Sequence, residues 1–192
     1  MDAEARFRKF REVRSRAWFA LLGLLAAARA WAGDAGEIIV DFEQAEMAKP
    51  VAAWTEQEVV FSLARAPENS KATGRVTFFP YLPTGRKGIV NAMANEQAIP
   101  LQAKFPRPVT SVTLVLWGST GCAAKVQAFD RDGRLVGEAS LPVVPGRHAP
   151  ADAVPQFELT VKAAAIATIQ LSGPRNGEFL AADEVRFVPA MP

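Results

Sequence analysis

The side chains best suited to covalent chemistry are scarce in this sequence and form no known catalytic motif. His148 is the only histidine and Cys122 the only cysteine. A Gly-x-Ser-x-Gly elbow, which carries the nucleophile of α/β-hydrolases, is absent. A single cysteine also excludes an internal disulfide and a zinc site of the Cys-x-x-Cys type. We therefore predict that the chain is not an enzyme.

Two pairs of closely spaced carboxylates are candidates for acid–base chemistry. Asp41 with Glu43, or Asp183 with Glu184, could supply the two carboxyl groups that glycoside hydrolysis uses. Each pair lies in a segment whose alternating pattern predicts a strand, where acidic side chains face water. This placement favours a surface role over hydrolysis.

The sequence supports ligand binding better than catalysis. Sugar recognition uses aromatic faces for stacking together with planar polar groups that hydrogen-bond hydroxyls. Side chains of both kinds occur in or beside predicted loops: Trp54, Tyr81, Arg86, Asn91, Arg147 and Arg175. The alternative is that the tryptophans pack in the core and the loop arginines are solvated. The two interpretations differ in whether Trp54, Tyr81 and Arg86 converge on one exposed patch.

The first 32 residues have the pattern of a secretory signal peptide. A basic segment precedes an apolar run over residues 17–28, and small residues follow as Ala28-Arg29-Ala30 and Ala30-Trp31-Ala32. A transmembrane anchor is the alternative, but it needs about 20 apolar residues and this run stops at Arg29. We predict cleavage after Ala32, or after Ala30, and a secreted or periplasmic protein.

Charge and hydropathy exclude two further classes for the mature chain. The sequence has 22 basic and 20 acidic residues, of which residues 33–192 hold 15 and 17. No basic cluster remains that would neutralise several phosphates, so we predict no nucleic-acid partner. No second apolar segment of spanning length occurs, so we predict no membrane span after signal cleavage.

The elements that must position the candidate residues are strands. Short alternating segments recur every 8–15 residues or so without helical periodicity, which predicts eight or nine strands in a single jelly-roll β-sandwich over residues 33–192. One strand is expected over residues 37–43. Pro106-Arg107-Pro108 is expected to form a rigid turn between strands at 98–105 and 109–117. Residues 80–88 are expected to form a long loop.

A hairpin is expected at the centre of this sandwich. Asp130 begins a turn and Gly133 ends it, because glycine accepts a positive φ without a Cβ clash. This turn predicts a G1 bulge and a pairing of residues 126–129 with 134–141. The other strands are expected to pack around this hairpin.

The second half of the chain resembles the galactose-binding-domain-like jelly rolls of exported bacterial proteins and carbohydrate-binding modules. The segments that carry this resemblance are residues 109–114 (VTSVTL), 126–137 (VQAFDRDGRLVG), 166–173 (IATIQLSG) and 183–187 (DEVRF). The resemblance implies a jelly-roll fold. It also implies a non-catalytic domain that recognises carbohydrate or another cell-surface component. A purely structural or protein-interaction module is the alternative.

The resemblance further implies a structural calcium ion where the first and last strands meet. Carboxylates from both strands are available as ligands: Asp41, Glu43 and Asp183. Asp183 is expected to share the inward face of Val185 and Phe187, where it needs a partner. A cation, backbone amides and the neighbourhood of Arg186 are the alternatives for that partner. No other cofactor is expected.

Overall fold

The computed structural model describes residues 36–64, 75–81, 84–91, 99–118, 123–144, 153–173 and 180–191. Residues 37–192 belong to one compact unit, whereas the predicted signal peptide lies outside the described residues. The strands are β1 Ile38–Val40, β2 Ala53–Glu56, β3 Val59–Leu63, β4 Val76–Pro80, β5 Lys87–Asn91, β6 Leu101–Gly118, β7 Ala124–Phe129, β8 Leu135–Leu141, β9 Phe157–Ser172 and β10 Leu180–Pro189. In the part of the chain that the structure describes, no helix is long and apolar enough to cross a membrane.

All described strand pairings are antiparallel, which confirms the predicted all-β sandwich. The strands follow the order β4-β5-β10-β6-β9-β7-β8, with β1 beside β10, β3 beside the start of β6, and β2 beside β3. Strands β6 and β9 are 18 and 16 residues long. They pair with each other on both sides of residues 105–108, and they therefore run through both layers of the sandwich. The start of β6 pairs with β3, and its second half pairs with β10.

The predicted turn at Pro106-Arg107-Pro108 is wrong, because β6 runs straight through it. The ladder between β6 and β9 jumps from Lys104 to Val109, so the prolines lie where no backbone N–H is needed. The Pro108 carbonyl accepts a hydrogen bond from the Ala190 amide at 2.9 Å. The prolines therefore mark the change of layer within one strand.

The predicted hairpin turn is confirmed, but its central position is wrong. Gly133 has φ +78°, and its amide donates to the Asp130 carbonyl at 3.2 Å. The Asp130 carboxylate accepts from the amides of Asp132 and Arg134, both at 2.9 Å. However, β7 and β8 stand at one end of the strand order, and β6 lies between its neighbours β10 and β9.

Phe42 from a turn, Phe61 from β3 and Phe78 from β4 pack together in the larger hydrophobic cluster, the main core. Phe42 lies 5.0 Å from Phe61 and 6.0 Å from Phe78, measured between ring centroids, and all three are almost fully buried. Phe42 has φ +59° and its carbonyl accepts from the Ala45 amide at 3.0 Å. This turn ends β1 at Val40, short of the predicted residue 43, while keeping the Phe42 ring inside.

The core predicts a large difference between two apolar truncations. Phe61→Ala should lower the free energy of unfolding by about 3–5 kcal/mol, because it removes buried surface and leaves a cavity beside Phe42. Ile39→Ala is the control, since Ile39 is also a strand residue, in β1, but is 48% exposed. Urea denaturation followed by tryptophan fluorescence measures both, and equal losses would contradict this core.

Candidate functional site

A β-bulge in β10 places two carboxylates on the same face of the sheet. Ala182 pairs with Leu116 and Glu184 pairs with the adjacent Val115, so Asp183 is an extra residue in β10. Ala182 and Val185 both belong to the main core although they are three positions apart. A bulge re-aims the side chains around it. Asp183 therefore lies with Glu184 on the outer face, away from the main core, and the predicted inward face shared with Val185 is wrong.

Asp183 is the most enclosed carboxylate of this face, with 0% of its surface exposed. Its Oδ2 accepts a hydrogen bond from Gln156 Nε2 at 2.6 Å and lies 3.7 Å from Arg86 Nε. Its Oδ1 is buried and accepts no hydrogen bond from any described residue. Burial raises the pKa of the Asp183 carboxyl, and Arg86 and Gln156 only partly oppose that effect. Its partners are thus the side chains of Arg86 and Gln156. Neither was expected, because the predicted alternatives were a metal cation, backbone amides and the neighbourhood of Arg186.

Glu184 is held between two guanidinium groups. Arg86 Nη2 donates to Glu184 Oε2 at 2.7 Å, and Arg186 Nε donates to Oε1. Arg186 Nη2 also donates to Glu158 Oε1 at 2.8 Å. Burial alone would raise the pKa of the Glu184 carboxyl, but the hydrogen bonds from Arg86 and Arg186 outweigh it and hold that pKa below its ordinary value.

We call these five side chains the arginine network: Arg86, Asp183, Glu184, Arg186 and Glu158. The expectation that Asp183 and Glu184 face water is therefore wrong, because each is bound by an arginine. Asp41 and Glu43, by contrast, are exposed as expected.

An aromatic cluster lies next to the arginine network on the same outer face. Tyr81 and Trp117 are buried with ring centroids 5.4 Å apart, and the Tyr81 hydroxyl donates to the Val154 carbonyl at 2.6 Å. Trp117 lies over Gly88, where an added Cβ would come within 3.0 Å of the indole Nε1. Glycine is therefore required at position 88 for the indole to approach the strand.

Among the described residues, Phe79 is the exposed aromatic ring of this face, and it is not one of the six predicted ligand-binding residues. It pairs with Gly88 across β4 and β5, and directly opposed residues share a face. Phe79 is 44% exposed, whereas Phe78 before it is buried in the main core. The alternation of Val76 and Phe78 with Thr77 and Phe79 was the available signal, because it places the second phenylalanine on the outer face.

The structure brings two of the six predicted ligand-binding residues together. The Tyr81 amide donates to the Arg86 carbonyl at 2.7 Å, so the two residues flank one turn. Trp54 lies elsewhere: its ring packs on Phe78 at 5.3 Å and its Nε1 donates to Glu56 at 3.0 Å. The side chain of Asn91, together with Arg147 and Arg175, lies outside the described residues.

The three predicted calcium ligands each have protein partners. Asp41 Oδ1 accepts from the Glu43 amide at 3.1 Å, and Glu43 Oε1 accepts from the Lys87 amide at 3.0 Å. Glu43 lies near enough to Asp183 to help raise the pKa of that carboxyl. Among the described residues, no three His, Cys, Asp or Glu side chains form a group that could hold a metal ion.

No protein-family model and no curated protein matches the chain. Among solved structures, it is similar to a family 6 carbohydrate-binding module, with 10% identity, a TM-score of 0.41 and coverage of 80% of this chain and 94% of that one. It is also similar to TmCBM61 in complex with beta-1,4-galactotriose, with 14% identity, a TM-score of 0.44 and coverage of 77% and 94%. A DUF4465 family protein from Bacteroides caccae is a third match, with 8% identity, a TM-score of 0.40 and coverage of 80% and 99%.

These structural matches confirm the predicted resemblance to carbohydrate-binding modules. At such identities and TM-scores they carry no argument about function. Any functional inference therefore has to rest on the contacts of this chain itself.

The raised pKa of Asp183 predicts a pH-dependent difference in stability. A folded-state pKa above the ordinary value of about 3.9 gives stability that is fully present below that value and is lost as pH rises through the folded pKa. Asp183→Asn removes this titration and still lets Gln156 donate to position 183. The stability of the unsubstituted protein relative to this variant should therefore fall as the pH rises above about 4.

Thermal melts across this pH range measure the difference, and Glu138→Gln serves as a control of opposite sign. The hydrogen bond from Lys125 lowers the pKa of Glu138, so stability relative to that variant should be lost as the pH falls. A difference between the unsubstituted protein and Asp183→Asn that stays constant with pH would contradict the assignment of a raised pKa.

Proposed function

We propose that residues 33–192 form an exported, non-catalytic jelly-roll domain that binds carbohydrate through the outer face around Arg86. The observation that supports this proposal is an exposed ring beside a fixed guanidinium. Phe79 and Arg86 occupy register positions two apart on the same face. The indole of Trp117 lies over Gly88, which is directly opposite Phe79. The Arg86 side chain is 40% exposed although Glu184 and Asp183 hold it in place.

This arrangement suits the two chemical features of a sugar. The C–H face of a pyranose packs on an aromatic ring, and its hydroxyls hydrogen-bond planar polar groups. Phe79 offers the ring, while Arg86 offers donors and Glu184 offers acceptors at one location. Because the network already orients Arg86, binding costs little side-chain entropy.

The charge balance of the arginine network favours a neutral glycan. The network contains two guanidinium groups and three carboxylates, and every guanidinium is already paired. The carboxylate of an acidic sugar would compete with Asp183, Glu184 and Glu158 for the same donors. A neutral hydroxyl both donates and accepts, so it can add to the network without displacing a charge.

A second candidate function is protein interaction, and the edge strand β8 favours it. Among the described strands, β8 pairs only with β7. Two of its apolar side chains are exposed: Leu135 at 52% and Val136 at 37%. Edge strands with exposed apolar groups are common sites of association with another chain.

A glycan array with matched truncations distinguishes the two functions. We expect the protein to bind neutral glycans more strongly than glycans rich in uronic acids. Phe79→Ala should weaken binding about 3- to 10-fold, which is the size of a lost aromatic contact. Leu135→Ala is the control, since it removes an exposed apolar group from β8, and it should leave glycan binding unchanged.

Two results would count against carbohydrate binding at this face. Silence on a broad array would favour the protein-interaction function, and equal losses from both truncations would place binding away from Phe79. Circular dichroism of each variant establishes that the sandwich is intact before binding is compared.

Export has its own test. Expression of the full chain should yield a processed protein outside the cytoplasm, with its N-terminus at Gly33 after cleavage behind Ala32. Intact-mass measurement and N-terminal sequencing of the exported fraction identify the cleavage site. Recovery of the uncleaved chain in the cytoplasm would contradict the proposal.

A further inference from the structure

The first and last strands meet, as the resemblance implies, at a place where positive charge is needed. Strand β1 pairs with β10 from Ile38↔Phe187 to Val40↔Val185. Immediately beyond this pairing, Glu43 follows β1 while Asp183 and Glu184 precede the paired part of β10. Three carboxylates thus lie around one junction, and Glu43 contributes to the raised pKa of Asp183. Unneutralised, these charges would repel one another.

Lys87 brings one positive charge to this junction, where its ammonium group binds backbone oxygens. Its Nζ donates to the Glu43 carbonyl at 2.6 Å and to the Ala45 carbonyl at 2.9 Å. Its amide donates to the Glu43 carboxylate at 3.0 Å. Lys87 therefore engages both main-chain and side-chain oxygens of the turn that follows β1.

Arg86 supplies the second positive charge on the opposite side of β5. The side chains of consecutive strand residues point to opposite faces. Arg86 binds Glu184 and lies 3.7 Å from Asp183, while Lys87 binds the turn at Glu43 and Ala45. Together the two neighbours carry a charge of +2 into the place where the first and last strands meet.

A calcium ion does not fit this set of donors. Calcium takes six to eight oxygen ligands at about 2.3–2.6 Å. An ion bound to the carbonyls of Glu43 and Ala45 would occupy the position of the Lys87 ammonium, and the two cations would repel strongly at that distance. Oδ2 of Asp183 is likewise committed to Arg86 and Gln156. Only its buried Oδ1 is left, which is far short of the six to eight oxygens that calcium takes.

We propose that Arg86 and Lys87 act as a built-in substitute for a structural divalent cation, so that the fold of this chain does not depend on calcium. Lys87 fastens the turn after β1, and Arg86 neutralises the bulged end of β10. This inference is independent of the proposed carbohydrate binding, and its test needs no glycan.

Thermal melts of the exported protein test the proposal in two ways. The midpoint should be the same in about 1 mM calcium and in excess chelator, whereas a structural site filled at a hundredfold excess would raise it by about 5–10 °C. Lys87→Ala should lower the midpoint by about 5 °C or more, because it leaves the carbonyls of Glu43 and Ala45 without the ammonium that binds them.

Lys49→Ala is the matched control, because Lys49 lies near the same turn but pairs only with exposed Glu46 among the described contacts. Its midpoint should stay within about 1 °C of the unsubstituted protein. If Lys87→Ala does not fold, Lys87→Gln keeps an N–H donor without the charge and should melt below the unsubstituted protein. A calcium-dependent rise in the unsubstituted protein overturns the proposal, and so does a Lys87 variant as stable as Lys49→Ala.

Discussion

The extra residue in β10 is the constraint on which the outer face depends. The main core takes Ala182 on one side of this position and Val185 on the other. Regular alternation cannot place residues three apart on the same face, so the strand has to bulge between them. The bulge then turns Asp183 and Glu184 outward together. A buried carboxylate without a partner would cost several kcal/mol, so the bulge in turn requires Arg86 and Arg186 beside it.

This requirement explains why the charged and aromatic groups of the outer face occur together. The turn from Tyr81 to Arg86 brings the guanidinium to β10, 98 residues further along the chain. The same turn carries Tyr81 to Trp117, and Gly88 lets the indole lie close to β5. The hairpin of β4 and β5 therefore both stabilises the bulge and assembles the candidate site.

Local signals in the sequence predicted those parts of the fold that local chemistry determines. The turn at Asp130 and Gly133 was predictable because its hydrogen bonds lie within five residues. Strand β5 was missed, because Lys87 and Gly88 resemble a loop until their partners Glu43 and Trp117 are known. The face of Asp183 was predicted wrongly for the same reason: the bulge is set by its pairing with β6, and alternation along β10 alone does not show it. Tyr81 and Arg86 could be selected by residue type, whereas the outward position of Phe79 follows from the alternation along β4.

The two long strands also determine how the protein must fold. Because β6 and β9 belong to both layers, each layer lacks some of its strand pairings until the other layer has formed. The first and last described strands pair with one another, as in Ile38 with Phe187, so much of the structure depends on contacts between distant residues. Such topologies form slowly compared with helical proteins, since the entropy of closing long loops is lost before the contacts are gained. The sandwich should therefore assemble in one late, cooperative step. Since β6 passes from one layer to the other at Pro106 and Pro108, the two layers should form together.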